Sequence, residues 1–138
     1  MRPAILTLVL TTALFAAGCG AVGHLSATSG NPANGKALFI KNCAACHTLA
    51  DAKTTGTIGP NLDDAFRYDK LQGFKESTIR DVVRGQIAYA TSDPGVDFNG
   101  APVTGMPDNI VRGQDAKDVA VYVAECVANT ACGVQAAG

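Results

Sequence analysis

The chain has no tryptophan, only two methionines and two histidines among 138 residues, and aromatic residues make up just 6% of it. Charge is also sparse, at 17%, and neither sign prevails: eleven Lys and Arg stand against twelve Asp and Glu, a formal net charge of −1. There is no basic block and no interleaving of basic with aromatic residues, which excludes the electrostatic footprint of a nucleic-acid binder. No internal repeat is visible, so a single functional unit is expected. The scarcity of histidine and methionine narrows every later choice of a nitrogen or thioether ligand to a few positions. What the chain does have is five cysteines, fifteen glycines and six prolines. Its length fits one domain, with loops rich in glycine and proline and a modest core.

The first stretch reads as targeting. Arg2 precedes an almost wholly apolar run from Ile5 to Ala17. That run is too short for a membrane-spanning helix and has the form of an export leader. Ala16-Ala17-Gly18-Cys19 resembles the lipobox of bacterial lipoproteins. Residues 1–18 are therefore expected to be a signal peptide, with lipid on the Cys19 thiol. The alternative is an ordinary signal peptide cut near Ala17 or Ala21. Residues 19–30 are small and polar without helical or strand period, and are expected to be a flexible tether. His24 falls inside it, as a solvated linker residue. The location this implies is the periplasm or the outer face of a bacterial membrane, with membrane association through lipidated Cys19.

The decisive run is Cys43-Ala44-Ala45-Cys46-His47. Two thiols flank two small residues and a histidine follows at once, the attachment signature of a c-type haem. Each thiol can bond one porphyrin vinyl group, and His47 can then supply an axial nitrogen to the iron. A thioredoxin-like pair would open a helix after a strand in an alternating fold, a context absent here. A zinc site would require four protein ligands, and no second thiol pair has suitable spacing. A second axial ligand must come from elsewhere. Met106 is the only methionine after the initiator, 59 residues past His47, and Pro107 follows it. Proline restricts the preceding residue to an extended backbone, which suits a loop side chain aimed at a ligand. The plainer alternative is a methionine filling a gap in the core.

The remaining pattern predicts helices. Asn31 and Pro32 start one that continues through Gly35, Leu38 and Phe39 and delivers the motif, with Leu38 and Phe39 facing inward. Asp51 to Gly59 is expected to be a loop, and Asp63 to Asp69 a short helix. Ser77 is the expected cap of a helix from Thr78 to Arg84, with Ile79, Val82 and Val83 on one face and Gly85 at its end. Ala90 to Gly105 reads as a long wrapping loop. Asp115 is the expected cap of the last helix, where Val119, Tyr122, Val123 and Cys126 form an apolar stripe. The fold class is all-α: a small helical domain over residues 31–128 with long loops around one cofactor. Cys126 and Cys132 lie six residues apart across the end of that helix. In an oxidising compartment they can form a disulfide tying down the tail, residues 129–138, although a buried free thiol at Cys126 fits the stripe equally.

The order of these elements resembles a class I cytochrome c over residues 31–128. Gly35 and Phe39 match the glycine and aromatic of the family's first helix, and Cys43 to His47 the attachment motif. Gly59-Pro60-Asn61-Leu62 matches its Gly-Pro-x-Leu segment, Met106-Pro107 the distal ligand loop, and Tyr122 the aromatic of the last helix. The resemblance implies that the first and last helices cross near Gly35, with Phe39 and Tyr122 packed together. It implies one haem c bound covalently through Cys43 and Cys46, with His47 and Met106 on the iron. The Pro60 carbonyl would accept the proton of His47's outer ring nitrogen. Tyr68, Tyr89, Arg84 and Arg112 become candidate partners of the propionates. The implied activity is single-electron transfer without catalysis. Donors would be a quinol-oxidising complex or a dehydrogenase, and acceptors a terminal oxidase or reductase. The rivals are a haem enzyme or gas sensor with an open distal site, and an electron-entry subunit of a larger oxidoreductase.

Overall fold

A computed structural model of the chain describes residues 30–90, 95–96, 99–102, 104–129 and 132–137. The expected leader, Cys19 and His24 lie outside the described residues. Helix α1 spans Pro32–Asn42. Asn31 caps it, accepting from the backbone N–H groups of Ala33 and Asn34, and Pro32 occupies the first turn, where a missing N–H costs nothing. A two-stranded antiparallel pair follows, β1 (Thr48–Leu49) and β2 (Thr54–Thr55), in register Thr48 to Thr55. It lies in and just before the stretch expected as plain loop. The Thr54 hydroxyl holds it, accepting from Leu49 N and donating to the His47 carbonyl, both at 2.9 Å.

Next come α2 (Leu62–Ala65), capped by the Asn61 side chain, and α3 (Arg67–Leu71). The single helix expected over 63–69 is thus two short ones divided at Phe66. Helix α4 runs over Glu76–Ala88, longer at both ends than expected. Lys75 stands at its N-cap without a side-chain bond, Ser77 lies inside, and Gly85 does not end it. The backbone ladder runs on through Gly85, whose carbonyl accepts from Tyr89 N at 2.8 Å. The buried stripe of α4 is Ile79, Val83 and Ile87, with Val83 half-buried, and Val82 turns outward. Spacing of four carries the stripe along one face, whereas Val82 is 100° away from Val83.

Helix α5 (Gly113–Cys126) starts at Arg112, not at an aspartate cap; Asp115 sits in its first turn. Its expected stripe of Val119, Tyr122, Val123 and Cys126 is fully buried. Helix α1 crosses α5, and α4 packs against α5 as well. The crossing is close because Gly35 has no side chain: a Cβ there would lie 2.0 Å from the Asp118 carbonyl oxygen. Phe39 and Tyr122 meet beside it edge to face, with ring centroids 5.9 Å apart.

Three buried or half-buried carboxylates complete the packing, and none was anticipated from the sequence. Asp118 accepts from Asn31 N (2.8 Å), Asn34 Nδ2 (2.7 Å) and Gln114 Nε2 (2.8 Å), joining the α1 cap to α5. Asp51 accepts from the Tyr122 hydroxyl at 2.8 Å and pairs with Lys36 at 2.9 Å. Asp63 accepts from Ala50 N and Ala128 N, both at 2.8 Å. A disulfide joins Cys126 to Cys132 and returns the tail to α1, where Lys36 Nζ donates to Val134 O and Ala137 N to Ala33 O. Among the described residues no helix is long and apolar enough to cross a membrane.

Candidate functional site

The motif continues the end of α1 as tight turns. Cys43 N donates to Phe39 O, and His47 N to Cys43 O at 2.9 Å. The two thiols therefore rise from one rigid segment whose base is the buried Phe39. Both are free of disulfide bonding, Cys43 buried and Cys46 half-buried. Burial, with the neighbouring Cys46 adding to it, pushes the Cys43 thiol up to about 11. Burial of the Cys43 thiol sets it apart from the exposed, lowered thiol of a disulfide-exchange pair.

His47 is fixed from two sides. Its Nδ1 lies 2.9 Å from the Pro60 carbonyl oxygen. A carbonyl only accepts, so Nδ1 is the donor in this contact and Nε2 is the ring nitrogen left for a ligand bond. Gly59 lies against the ring face: a Cβ there would come within 2.5 Å of Cε1, 2.8 Å of Nδ1 and 2.9 Å of Nε2. Gly59 N in turn donates to Cys46 O at 2.8 Å, binding the Gly-Pro segment to the motif. Gly56 is equally constrained, since a Cβ there would meet the Cys46 carbonyl carbon at 2.5 Å and the His47 nitrogen at 2.7 Å. Nothing in the sequence marks Gly56 beyond its place nine residues after His47.

Met106 sits half-buried in the irregular segment 104–107 and packs on the hydrophobic cluster that contains Cys43. Asn109 anchors this segment, its N–H donating to Ile87 O at 2.7 Å and its amide to Ala88 O at 3.2 Å. Asn109 has φ +54°, a left-handed conformation that asparagine tolerates better than most residues. The structure thus brings His47, Gly59 and Pro60 into direct contact, and sets the Cys43 thiol and Met106 on one apolar cluster.

The chemistry of this donor set fits a haem c. Two adjacent unbonded thiols, an imidazole held through Nδ1 with Nε2 left to bind, and a thioether are the groups such a cofactor takes. A second cluster, Asp51 with Cys126 and Cys132, brings three ligand-type atoms within 4.8 Å, but its sulfurs are spent on each other. Of the expected propionate partners, Tyr68 is exposed on α3 and the other three share one groove. Arg84, Arg112 and Tyr89 line a groove between α4 and α5 of about 540 Å³, to which none of Cys43, Cys46, His47 and Met106 contributes.

A family model described as cytochrome c matches residues 32–126. Among solved structures, the chain is similar to the c-type cytochrome SorU from Sinorhizobium meliloti. The two are 27% identical over 70% of this chain and 91% of that one, with a TM-score of 0.43. No curated protein matches the sequence.

Proposed function

Because this chain belongs to the cytochrome c family, whose members bind haem c and carry electrons without catalysing a reaction, we propose that it is a monohaem carrier of single electrons between exported or membrane-bound respiratory partners. The observation that carries this reading is the His47–Pro60 contact at 2.9 Å beside two unbonded thiols. In this reading Cys43 and Cys46 would hold the porphyrin through thioether bonds, and His47 and Met106 would be the protein's ligands to its iron. When bound, the cofactor supplies an iron that takes up and gives back one electron.

The protein's own residues set the terms of that exchange. Pro60 accepts the Nδ1 proton, holds the imidazole against rotation and makes Nε2 a better donor. Gly59 lets the Gly-Pro backbone approach the ring face. Met106, as a thioether on that iron, would favour the reduced state and raise the potential relative to a second histidine. With His47 and Met106 both committed to the iron, the protein would leave no site there for oxygen or peroxide.

Lipid on Cys19 would keep the domain at the membrane surface, where a tether raises the local concentration of membrane-bound partners. Donors of the quinol-oxidising or dehydrogenase class and acceptors of the oxidase or reductase class fit a carrier so placed.

Optical spectra of the purified protein in both redox states test the assignment. A covalently held haem is expected, with the weak near-infrared band of methionine–ferric coordination when oxidised. Met106→Ala is expected to keep the haem and lose that band. Pigment-free mature protein overturns the haem assignment. Ready carbon monoxide binding by the reduced protein at neutral pH overturns the carrier role.

A further inference from the structure

The groove between α4 and α5 has a charge pattern the carrier reading leaves unused. Arg84 lines it from the last turns of α4, Arg112 from the start of α5 and Lys117 from one turn further on. Asp81 is its one acidic lining residue, and Asp81 is already paired with Arg80 at 3.6 Å. Among the described residues, the ion pairs are Lys36–Asp51, Arg67–Asp64, Lys70–Glu76 and Arg80–Asp81. Arg84, Arg112 and Lys117 take part in none of them. On a chain of formal net charge −1, Arg84, Arg112 and Lys117 outnumber the groove's one carboxylate, with Arg112 Nε also donating to Asn109 O at 3.4 Å and the Lys117 charge also acting on Asp118.

The groove is also partly apolar. Tyr89 stands on it 85% exposed, with Val111, Ala88 and Ala116 forming the floor. Exposed tyrosine beside arginine is the composition of a protein-binding hot spot. Small-molecule sites enclose most of their ligand, whereas this groove leaves its aromatic residue out in solvent.

We infer that the α4–α5 groove docks an acidic segment of a partner protein, with Arg84, Arg112 and Lys117 pairing its carboxylates and Tyr89 packing on its backbone. This rests on the carrier role, since a carrier exchanges its electron with a protein partner. It places the contact on a face to which the attachment motif does not contribute. Opposite charge steers encounter and fixes register, and exposed charges weaken as salt rises.

Binding of poly-L-glutamate to the intact haem-loaded protein tests this at low and physiological salt, read by NMR shifts and by affinity. The expected result is perturbation centred on Tyr89 and Lys117, at least tenfold weaker binding in Arg84→Glu with Arg112→Glu, and loss with added salt. Lys53→Glu with Lys75→Glu makes the same change in net charge at two exposed positions off the groove. Equal weakening by both pairs would mean that only net charge matters and overturns the proposal. Displacement of the polymer by millimolar inorganic phosphate at constant ionic strength overturns it in favour of a small-anion site. Dependence on Arg84 and Arg112 seen only with phosphatidylglycerol vesicles overturns it in favour of a membrane surface. The haem spectrum of each variant is read alongside. A failed groove leaves that spectrum intact, whereas a failed carrier reading appears as its absence in every variant.

Discussion

Gly59 and the imidazole of His47 are stacked so closely that a single added methyl group would come within 2.5 Å of the ring. The contact is one-sided. Pro60 holds Nδ1 at 2.9 Å from the next residue along, so the ring has no room to retreat without stretching that bond. Ring orientation in this protein is set by a two-residue backbone segment.

Gly59→Ala is therefore expected to disturb the axial ligand while sparing the helices. The expected outcome is a shifted reduction potential and an altered visible spectrum with unchanged far-ultraviolet circular dichroism. Gly95→Ala, where nothing lies within 4 Å, serves as the matched control and is expected to change neither.

The helix crossing is still less tolerant. A Cβ on Gly35 would overlap the backbone of Asp118, which cannot swing aside as a side chain can. Gly35→Ala is expected to cost about 3 kcal/mol or more, at the upper end of overpacking effects. Chemical denaturation of the haem-loaded protein measures it.

Acid should act through Asp118 and Asp51. Burial alone would raise the Asp118 carboxyl, but bonds from Asn34, the Asn31 backbone and Gln114, with the charge of Lys117, hold it below the ordinary 3.8. Burial also works against the Asp51 charge, and is outweighed by Lys36, Tyr122 and the Gly133 backbone, so that carboxyl too is lowered. A carboxyl lowered in the folded state stabilises fully above its unfolded value and loses that contribution as pH falls through the folded one. Stability is thus expected to be flat near neutrality and to fall below about pH 4. Asp118→Asn should cost about 1–3 kcal/mol at pH 7 and flatten the acid limb, as seen by circular dichroism during acid titration.

The Cys126–Cys132 disulfide closes a short loop, so its removal as Cys126→Ser with Cys132→Ser is expected to cost about 2 kcal/mol by the chain-entropy estimate. The tail bonds to α1 should weaken with it, so limited proteolysis is expected to cut after residue 128 first. Thermal melting of the two proteins side by side measures the stability change.

The parts of this structure that local signals describe were legible beforehand, and the parts built by distant pairs were not. Asn31 and Pro32 announce the start of α1 because capping is a matter of three neighbouring residues. The stripe of Val119, Tyr122 and Val123 is visible because helical period is local too. The His47–Pro60 contact was accessible only through the resemblance in motif order, as the two residues are 13 apart. Asp118 and Asp51 carried no such mark. Their partners lie 84, 87 and 71 residues away in sequence, and an aspartate on a helix or in a loop looks like solvated surface until the fold closes over it. The limits of α4 failed for the opposite reason. Ser77 and Gly85 carry clear cap and stop signals, but packing of Ile79, Val83 and Ile87 extends the helix past both.

The tail bond from Ala137 to Ala33 has a geometric consequence for the whole molecule. It brings the chain's exit back to the turn where the chain enters, at Gly30 and Asn31, whereas Cys43 stands at the far end of α1, about 15 Å along the axis. Entry and exit share one pole and the thiols occupy the other. A label or fused module joined at Ala137, or just ahead of Gly30, is then attached at the end of α1 remote from Cys43, and leaves the thiol-bearing end uncovered.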